Sequence, residues 1–158
     1  MVTSLYGNII KCLSADHMNA LNKQLNSFVR EYDLPVFAQT GRIPKIIHQT
    51  YHDKNLPEEF AQNVDRLRRL NPDWEHRLYN NNDIQTFISE RYGKNVLRYY
   101  NRINPGYGAA KADFFRYLVM YAEGGVYLDI KSAFERPIDE CLQADEQYLL
   151  AQWQNKEG

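Results

Sequence analysis

The chain has 158 residues, with 19 basic and 20 acidic side chains and a formal net charge of −1. Because the two signs are well mixed, the composition gives no support for a nucleic-acid groove or a basic membrane-binding face. It favours a small molecule or a saccharide as the ligand. The length indicates one domain, which would bury roughly two thirds of its unfolded surface.

Cys12 and Cys141 are the two cysteines, and they have no metal-ligand spacing. The sequence therefore predicts neither a disulfide framework nor a zinc site, and a reducing compartment is the default. Residues 1–14 lack a signal-peptide pattern, and no window is apolar over a membrane-spanning length. We expect a soluble, cytoplasmic protein without a membrane span.

Hydrophobic spacing and turn residues predict alternating strands and helices along the chain. We expect an amphipathic helix over residues 14–33, strands over 43–51, 74–79, 126–128 and 147–153, helices over 57–70, 82–93, 96–103 and 109–123, and one helical turn over 138–142. Pro57 should occupy the first position of its helix, and Asn82 should cap the next, which Gly93 ends. This order indicates an α/β fold.

Residues 109–132, AAKADFFRYLVMYAEGGVYLDIKS, are the most informative stretch. The helix over residues 109–123 is apolar on almost every side, so it should be buried, yet it carries Asp113 and Arg116 one turn apart. A buried charged pair requires a purpose: either ligand binding or an ion pair that ties helix to sheet. Gly124 and Gly125 end the helix. Asp129 then ends a short buried strand, where open α/β sheets bind ligands, which predicts one cleft for all three charged residues.

The segments IPKIIHQTY at 43–51 and AAKADFFRYLVMYAEGGVYLDIKS at 109–132 together resemble the glycosyltransferases that share a DXD sugar-binding region. These are the capsular polysaccharide and initiating mannosyltransferase group, glycosyltransferase family 32-like, which is similar in this core to the large clostridial glucosylating toxins. The resemblance covers residues 43 to about 153. It implies a GT-A-like fold, a Rossmann-type mainly parallel sheet flanked by helices, with much of the acceptor-side half missing. Residues 1–42 are expected to form a helical extension, and residues 43–158 the nucleotide-sugar-binding domain.

The resemblance also implies roles for individual residues. In the family the first strand lies beside the nucleotide, so Gln49, Thr50 and Tyr51 would line the base pocket through backbone bonds and ring stacking. Tyr127 would face the nucleotide, with simple core packing as the alternative for both tyrosines. His48 and His52 have a helical metal spacing, but they lie on a predicted strand and are not expected to bind a metal.

The segment AAKADFFRY matches the family pattern A-x-x-D-x-x-R-Y. This match implies that Asp113 and Arg116 bind the donor sugar, the carboxylate through hydroxyl groups and the guanidinium through sugar or phosphate. The structural ion pair remains the alternative.

Asp129-Ile130-Lys131 departs from the family motif Asp-x-Asp, whose second carboxylate binds the divalent ion that bridges both phosphates. An ammonium group cannot ligate Mn²⁺ or Mg²⁺. Three arrangements stay open: a metal bound by Asp129 with oxygen donors such as Ser132 or Glu135, Lys131 itself against the phosphates, or loss of donor binding and catalysis. If the strand stays extended, Asp129 and Lys131 face the same side, which favours the second arrangement.

The resemblance thus implies a hexosyltransferase of polysaccharide biosynthesis that retains configuration and moves a hexose from a nucleotide-diphospho-sugar to a saccharide acceptor. Asp129 and Lys131 would act on the phosphates as the catalytic groups. The alternative is a degenerate, non-catalytic module for nucleotide-sugar binding or assembly. A generic nucleotide-binding protein is less favoured, because no glycine-rich phosphate loop follows the first strand. Family domains continue well past the motif, so we expect a fragment, or a chain whose acceptor site is completed by a partner domain or a second copy.

Overall fold

A computed structural model of the chain describes residues 2–4, 8–12, 34–38, 41–142 and 149–153, and the helix predicted over residues 14–33 lies outside these ranges. The elements are, in chain order, β1 (Val2–Ser4), β2 (Asn8–Cys12), β3 (Ile46–Thr50), α1 (Glu58–Leu70), β4 (Glu75–Tyr79), α2 (Asn81–Arg102), α3 (Gly108–Glu123), β5 (Val126–Tyr127), β6 (Ser132–Phe134), a 3₁₀ turn (Ile138–Glu140) and β7 (Leu149–Trp153).

A parallel three-stranded sheet with the order β4-β3-β5 carries the site. β3 is central because its short β-branched run is buried: Ile47, His48 and Gln49 have no exposed surface. Parallel strands bring their carboxyl ends to one edge, so the residues that follow Thr50, Tyr79 and Tyr127 lie along the same side of the sheet. The predicted α/β fold with a mainly parallel sheet is confirmed.

Helix α1 packs on one face of this sheet. Its first turn carries Glu58 and Glu59 and its last turn Arg68 and Arg69, which complements the helix dipole as the sequence predicts. Pro57 lies one position earlier than expected, as the residue before the first helical one. Val64 and Leu67 of α1 are buried, and Leu67 lies in a cluster that also contains Ile47, Trp74, Leu128, Phe134 and Ile138.

Helices α2 and α3 pack on the other face. Their buried residues form a second cluster with a tyrosine of β4, and its members are Tyr79, Ile84, Ile88, Tyr92, Tyr100, Phe115 and Val119. Because neighbouring strand residues point to opposite faces, each side of the sheet has its own core. No helix of the described residues is both long enough and apolar enough to cross a membrane.

The prediction that Asn82 caps α2 is wrong by two residues. Asn80 is the cap: its side chain accepts hydrogen bonds from the backbone N–H groups of Asn82 and Asp83, and the Asp83 carboxylate accepts one from the Asn80 backbone. A capping box needs its second partner three residues after the cap, and Asp83 fulfils that spacing for Asn80. Gly93, with φ 78° and ψ 177°, interrupts the helix as predicted, and a second helical run continues to Arg102.

The expectation that α3 leaves no face to water is also wrong. Phe115 and Val119 are its two buried residues, whereas Tyr117 is 73% exposed. The physical reason is that the sheet and α2 cover only one side of α3, and large aromatic side chains on the other side are only partly covered. Asp113 and Arg116 are therefore not a buried pair.

Two short antiparallel pairs join the ends of the chain. β1 pairs with β6, and β2 pairs with β7. The strand predicted over residues 147–153 is present as β7, but β1, β2 and β6 were not expected from the sequence. The division into residues 1–42 and 43–158 stays a prediction, and these pairs cross its boundary.

Candidate functional site

The carboxyl edge of the sheet brings residues from three elements together. Thr50 ends β3 and Tyr127 ends β5, and their hydroxyl oxygens are 2.8 Å apart in a hydrogen bond. The guanidinium carbon of Arg116, from α3, lies 4.8 Å from the centre of the Tyr127 ring. Burial raises the pKa of Tyr127, and its hydrogen bond to Thr50 opposes that rise only in part. The phenol therefore stays protonated and acts as a fixed wall of the site.

Arg116 bridges the two carboxylates that the sequence singled out. Its Nη2 atom is 2.8 Å from Oδ1 of Asp113 and 3.2 Å from Oδ1 of Asp129. The structure thus brings all three predicted charged residues into one cluster. Their side chains are 56%, 38% and 59% exposed for Asp113, Arg116 and Asp129, respectively. The cluster is open to water, so its charged groups keep much of their hydration and the fold bears little desolvation cost. A ligand can also reach both carboxylates.

One atom of this cluster is not satisfied within the described part of the chain. The Nε atom of Arg116 is buried without a hydrogen-bond partner, whereas Nη2 serves both carboxylates. Exposed carboxylates next to a guanidinium offer both acceptors and donors to a ligand with several hydroxyl groups.

Gln49 lies beneath this edge and not at its surface. It has no exposed area; its amide nitrogen donates to the backbone oxygen of Asp129 at 3.2 Å, and its amide oxygen lies 2.7 Å from Nε2 of His76. Burial lowers the pKa of His76 from 6.5 to about 4, so the ring is neutral and donates through Nε2. The side chain of Gln49 is thereby occupied in holding Asp129. Its predicted part in a base pocket stays a prediction, and it can concern only the backbone.

The turn after β5 contradicts the extended geometry considered for Asp129 and Lys131. The Ser132 N–H donates to the Asp129 oxygen at 2.8 Å, so the chain reverses at Ile130 and Lys131. Lys131 lies towards α1, with its ammonium nitrogen 5.6 Å from the ring centre of Phe60. Asp129 thus contacts Arg116 of α3, whereas the Lys131 side chain lies towards α1.

Aromatic side chains surround the end of β3. The Tyr51 ring lies 4.2 Å from the ring of His52 and 5.5 Å from that of Phe60, measured between centres. Phe60 was not expected in the site from the sequence, because its spacing with Val64 in α1 is that of a core-facing stripe. A second residue of α1 was missed as well: the Asn63 amide donates to two carbonyl groups of the turn, and no sequence motif identifies such a contact.

A histidine of β3 holds the junction between α3 and β5, which precedes Asp129. His48 is fully buried; its Nε2 donates to the Gly124 oxygen at 3.0 Å, and its Nδ1 accepts from the Tyr79 hydroxyl at 3.0 Å. Burial lowers the pKa of His48 from 6.5 to about 4, in keeping with a neutral structural ring. Gly124 and Gly125 have φ values of 67° and 88°, which favour glycine.

The side chains at this edge offer few donor groups for a divalent ion. No cluster of three or more His, Cys, Asp or Glu side chains among the described residues could hold an ion. Asp129 and Asp113 are two carboxylates that share Arg116, and Lys131 is a cation. Mn²⁺ and Mg²⁺ require several oxygen ligands, so these residues do not by themselves form a metal site.

A family model described as "Glycosyltransferase sugar-binding region containing DXD motif" matches residues 57–149. The chain is 33% identical over 104 residues to inositol phosphoceramide mannosyltransferase 1 of Schizosaccharomyces pombe, covering 64% of this chain and 32% of that protein. It is 32% identical over 133 residues to the initiation-specific alpha-1,6-mannosyltransferase of Candida albicans, covering 80% and 33%. It is 34% identical over 100 residues to mannosyl phosphorylinositol ceramide synthase SUR1 of Saccharomyces cerevisiae, covering 63% and 25%.

In each of these alignments the chain spans a third or less of the relative's length. No solved structure matches the chain.

Proposed function

The chain belongs to the family of glycosyltransferase sugar-binding regions that contain a DXD motif, and from that premise we propose that it binds a nucleotide-diphospho-sugar at the carboxyl edge of its sheet and transfers the hexose. The relatives named as mannosyltransferases support mannose as the hexose, and a saccharide or glycolipid as the acceptor. Retention of configuration is part of the proposal and rests on the family resemblance.

A single observation carries this proposal: Arg116 is held between two exposed carboxylates on the face of Tyr127, at the strand ends of a parallel sheet. A hexose presents hydroxyl groups that both donate and accept hydrogen bonds. Asp113 and Asp129 can accept from these groups, while Arg116 donates. The tyrosine ring fixes the plane of the guanidinium and reduces the conformations available to it.

The diphosphate is assigned to Arg116, which contacts Asp129, and to Lys131, which follows Asp129 by two residues in the turn. Transfer breaks the bond between the sugar and the diphosphate oxygen, so negative charge develops on the departing diphosphate. Lys131 and Arg116 supply fixed positive charge for it. Because configuration is retained, the acceptor hydroxyl attacks the anomeric carbon on the face that the diphosphate leaves, forms the new C–O bond there and passes its proton to the departing phosphate oxygen. Tyr51 and Thr50, at the end of β3, are proposed to contact the nucleotide, with Tyr51 stacking on the base. A divalent cation is not required in this arrangement.

The test is calorimetric titration of the chain with GDP-mannose, UDP-glucose and the free nucleoside diphosphates, with Mn²⁺ and with EDTA. We expect binding in EDTA that weakens by about tenfold or more in Lys131→Ala, because a hydrogen bond to a charged group contributes about 1.5–3 kcal/mol. Lys94→Ala is the control, since Lys94 is an exposed lysine of α2.

Strictly Mn²⁺-dependent binding that is unchanged in Lys131→Ala would contradict the lysine assignment and favour a metal held through Asp129. If the chain bound none of these nucleotide sugars, the proposed function would be contradicted. That result would favour the non-catalytic alternative, for which the lysine in the motif is the specific observation. A donor hydrolysis assay separates a binding module from a transferase once binding is established.

A further inference from the structure

The side chain of Asn63 in helix α1 hydrogen-bonds to the backbone of the turn that carries Asp129 and Lys131. The Nδ2 atom of Asn63 donates to the Ile130 oxygen and to the Ser132 oxygen, each at 2.9 Å. An amide NH₂ group has two hydrogens, and both are used here on carbonyl groups two residues apart. Isolated turns satisfy such carbonyls with water, so this contact is specific to the packing of α1 against the turn.

Asn63 lies on a helix that is packed firmly against the sheet. Its neighbour in α1, Val64, is 4% exposed, and Leu67, one turn further, has no exposed surface. Those residues lock α1 onto the sheet, and Asn63 projects from the same helix to the turn. Phe60, one turn before Asn63, meets the Lys131 ammonium group. Helix α1 thus contacts both the backbone of the turn and the side chain at its tip.

The turn is held from the opposite direction by β3. The Gln49 amide donates to the Asp129 oxygen, and the Leu128 N–H donates to the His48 oxygen at 3.0 Å. The described backbone from Leu128 to Ser132 therefore has contacts to α1 and β3, and Ser132 also pairs with Ser4 of β1. With Asn63 removed, Gln49 still holds Asp129 and β1 still pairs with Ser132, but the carbonyl groups of Ile130 and Ser132 lose their hydrogen bonds to α1.

We infer that Asn63 is a positioning residue for the donor site: it fixes the turn so that the Asp129 carboxylate meets the sugar hydroxyls and the Lys131 ammonium group meets the diphosphate in one geometry. This inference rests on the proposed function for its ligand and on the two hydrogen bonds of Asn63 for its structural part. It predicts that Asn63 variants lose donor affinity without touching the donor. A displacement of the catalytic groups by about 1 Å is enough to cause a large loss of catalytic rate.

The structural part is tested by hydrogen–deuterium exchange of the ligand-free chain. Asn63→Asp keeps the size but places a carboxylate against two carbonyl oxygens, and Asn63→Leu removes the donors without adding charge. We expect the Ser132 amide to exchange about tenfold faster or more in both variants, because its local opening becomes easier. Gln62→Glu is the matched control: Gln62 is exposed on the same helix, where its amide donates to Glu58. Unchanged exchange across residues 128–132 in both Asn63 variants would overturn the inference, whether or not the chain binds a donor.

The functional part is tested by a double-mutant cycle on nucleotide-sugar affinity. Asn63→Leu is expected to raise the Kd about tenfold in the wild-type background and by much less in Lys131→Ala, because the two changes remove one shared interaction. A merely structural role would leave the two effects additive. Faster exchange with unaltered Kd, or with additive Kd changes, would overturn the positioning role while leaving the proposed function intact. Absence of binding in the wild type would overturn both, and the exchange result would still report on the contact itself.

Discussion

Replacing Asp113 with asparagine tests whether the pair formed by Asp113 and Arg116 binds a ligand or only stabilises the fold. The side chain of Asp113 is 56% exposed, and its partner Arg116 is 38% exposed. Exposed ion pairs contribute about 0.2–1 kcal/mol to stability. Arg116 also keeps Asp129 and the Tyr127 ring after the change. We therefore expect Asp113→Asn to cost less than about 1 kcal/mol of folding free energy, which corresponds to a Tm shift of about 2–4 °C for a chain of this size.

The effect on sugar binding should be larger. A carboxylate that accepts a hydrogen bond from a hexose hydroxyl contributes about 1.5–3 kcal/mol, which is about 10- to 100-fold in Kd. The assay compares titrations of GDP-mannose and GDP in the wild type and in Asp113→Asn. Affinity for the nucleotide sugar should fall while affinity for the free nucleotide stays within about twofold, because Asp113 is assigned to the sugar alone.

Asp65→Asn on α1 is the control, since Asp65 is an exposed carboxylate outside the site. A fall in Tm of more than about 5 °C with unchanged sugar affinity would refute this reasoning, because a loss that large requires more than an exposed ion pair. The pair would then tie the helix to the sheet, as the alternative interpretation of the sequence holds. An equal loss of affinity for GDP and for GDP-mannose would refute the assignment of Asp113 to the sugar.

Two further predictions concern the framework beneath the site. Gly125→Ala should lower stability by about 2–4 kcal/mol in thermal melts, since an L-residue is strained at φ 88° and its Cβ would lie 2.6 Å from the Ile46 oxygen. Gly41→Ala has a similar φ of 69° but nothing within 4 Å, so it should cost only about 1 kcal/mol, and equal losses would contradict the steric argument. The folded-state pKa values of His48 and His76, lowered from 6.5 to about 4, mean that the unfolded chain binds more protons in this interval. Unfolding free energy from urea titrations should therefore be greatest above pH 6.5 and fall as pH decreases towards 4; a flat profile between pH 7 and 5 would contradict neutral, buried rings.

Local signals in the sequence determined most of the secondary structure. The β-branched run at β3, the charges at both ends of α1 and the glycines at positions 93, 124 and 125 are short-range features, and the elements that they predict are present. These signals act within a turn or a strand, so they are legible without tertiary contacts. The predicted cap of α2 was wrong for a local reason too. Asp83 lies three residues after Asn80, which is the spacing of a capping box, and only one residue after Asn82.

The sequence also predicted that three charged residues share one cluster. Spacing placed Asp113 and Arg116 on one side of a helix, and position at a strand end singled out Asp129; these three are in contact in the structure. It did not reveal their exposure. The apolar composition of α3 predicted burial, whereas exposure depends on how much of the helix the sheet and α2 cover.

Tertiary structure alone decided how the turn after β5 is held. Lys131 is separated from Asp129 by a chain reversal, and the residues that hold this turn, Gln49 and Asn63, lie 80 and 67 or more positions away in sequence. Nothing in the sequence pattern distinguishes such amides from solvent-facing ones. The contacts form only when α1 and β3 are packed, because a hydrogen bond across this separation requires both elements to be fixed first by the hydrophobic core. Residue chemistry is therefore readable from the chain itself, while the geometry at which it acts is a property of the packed fold.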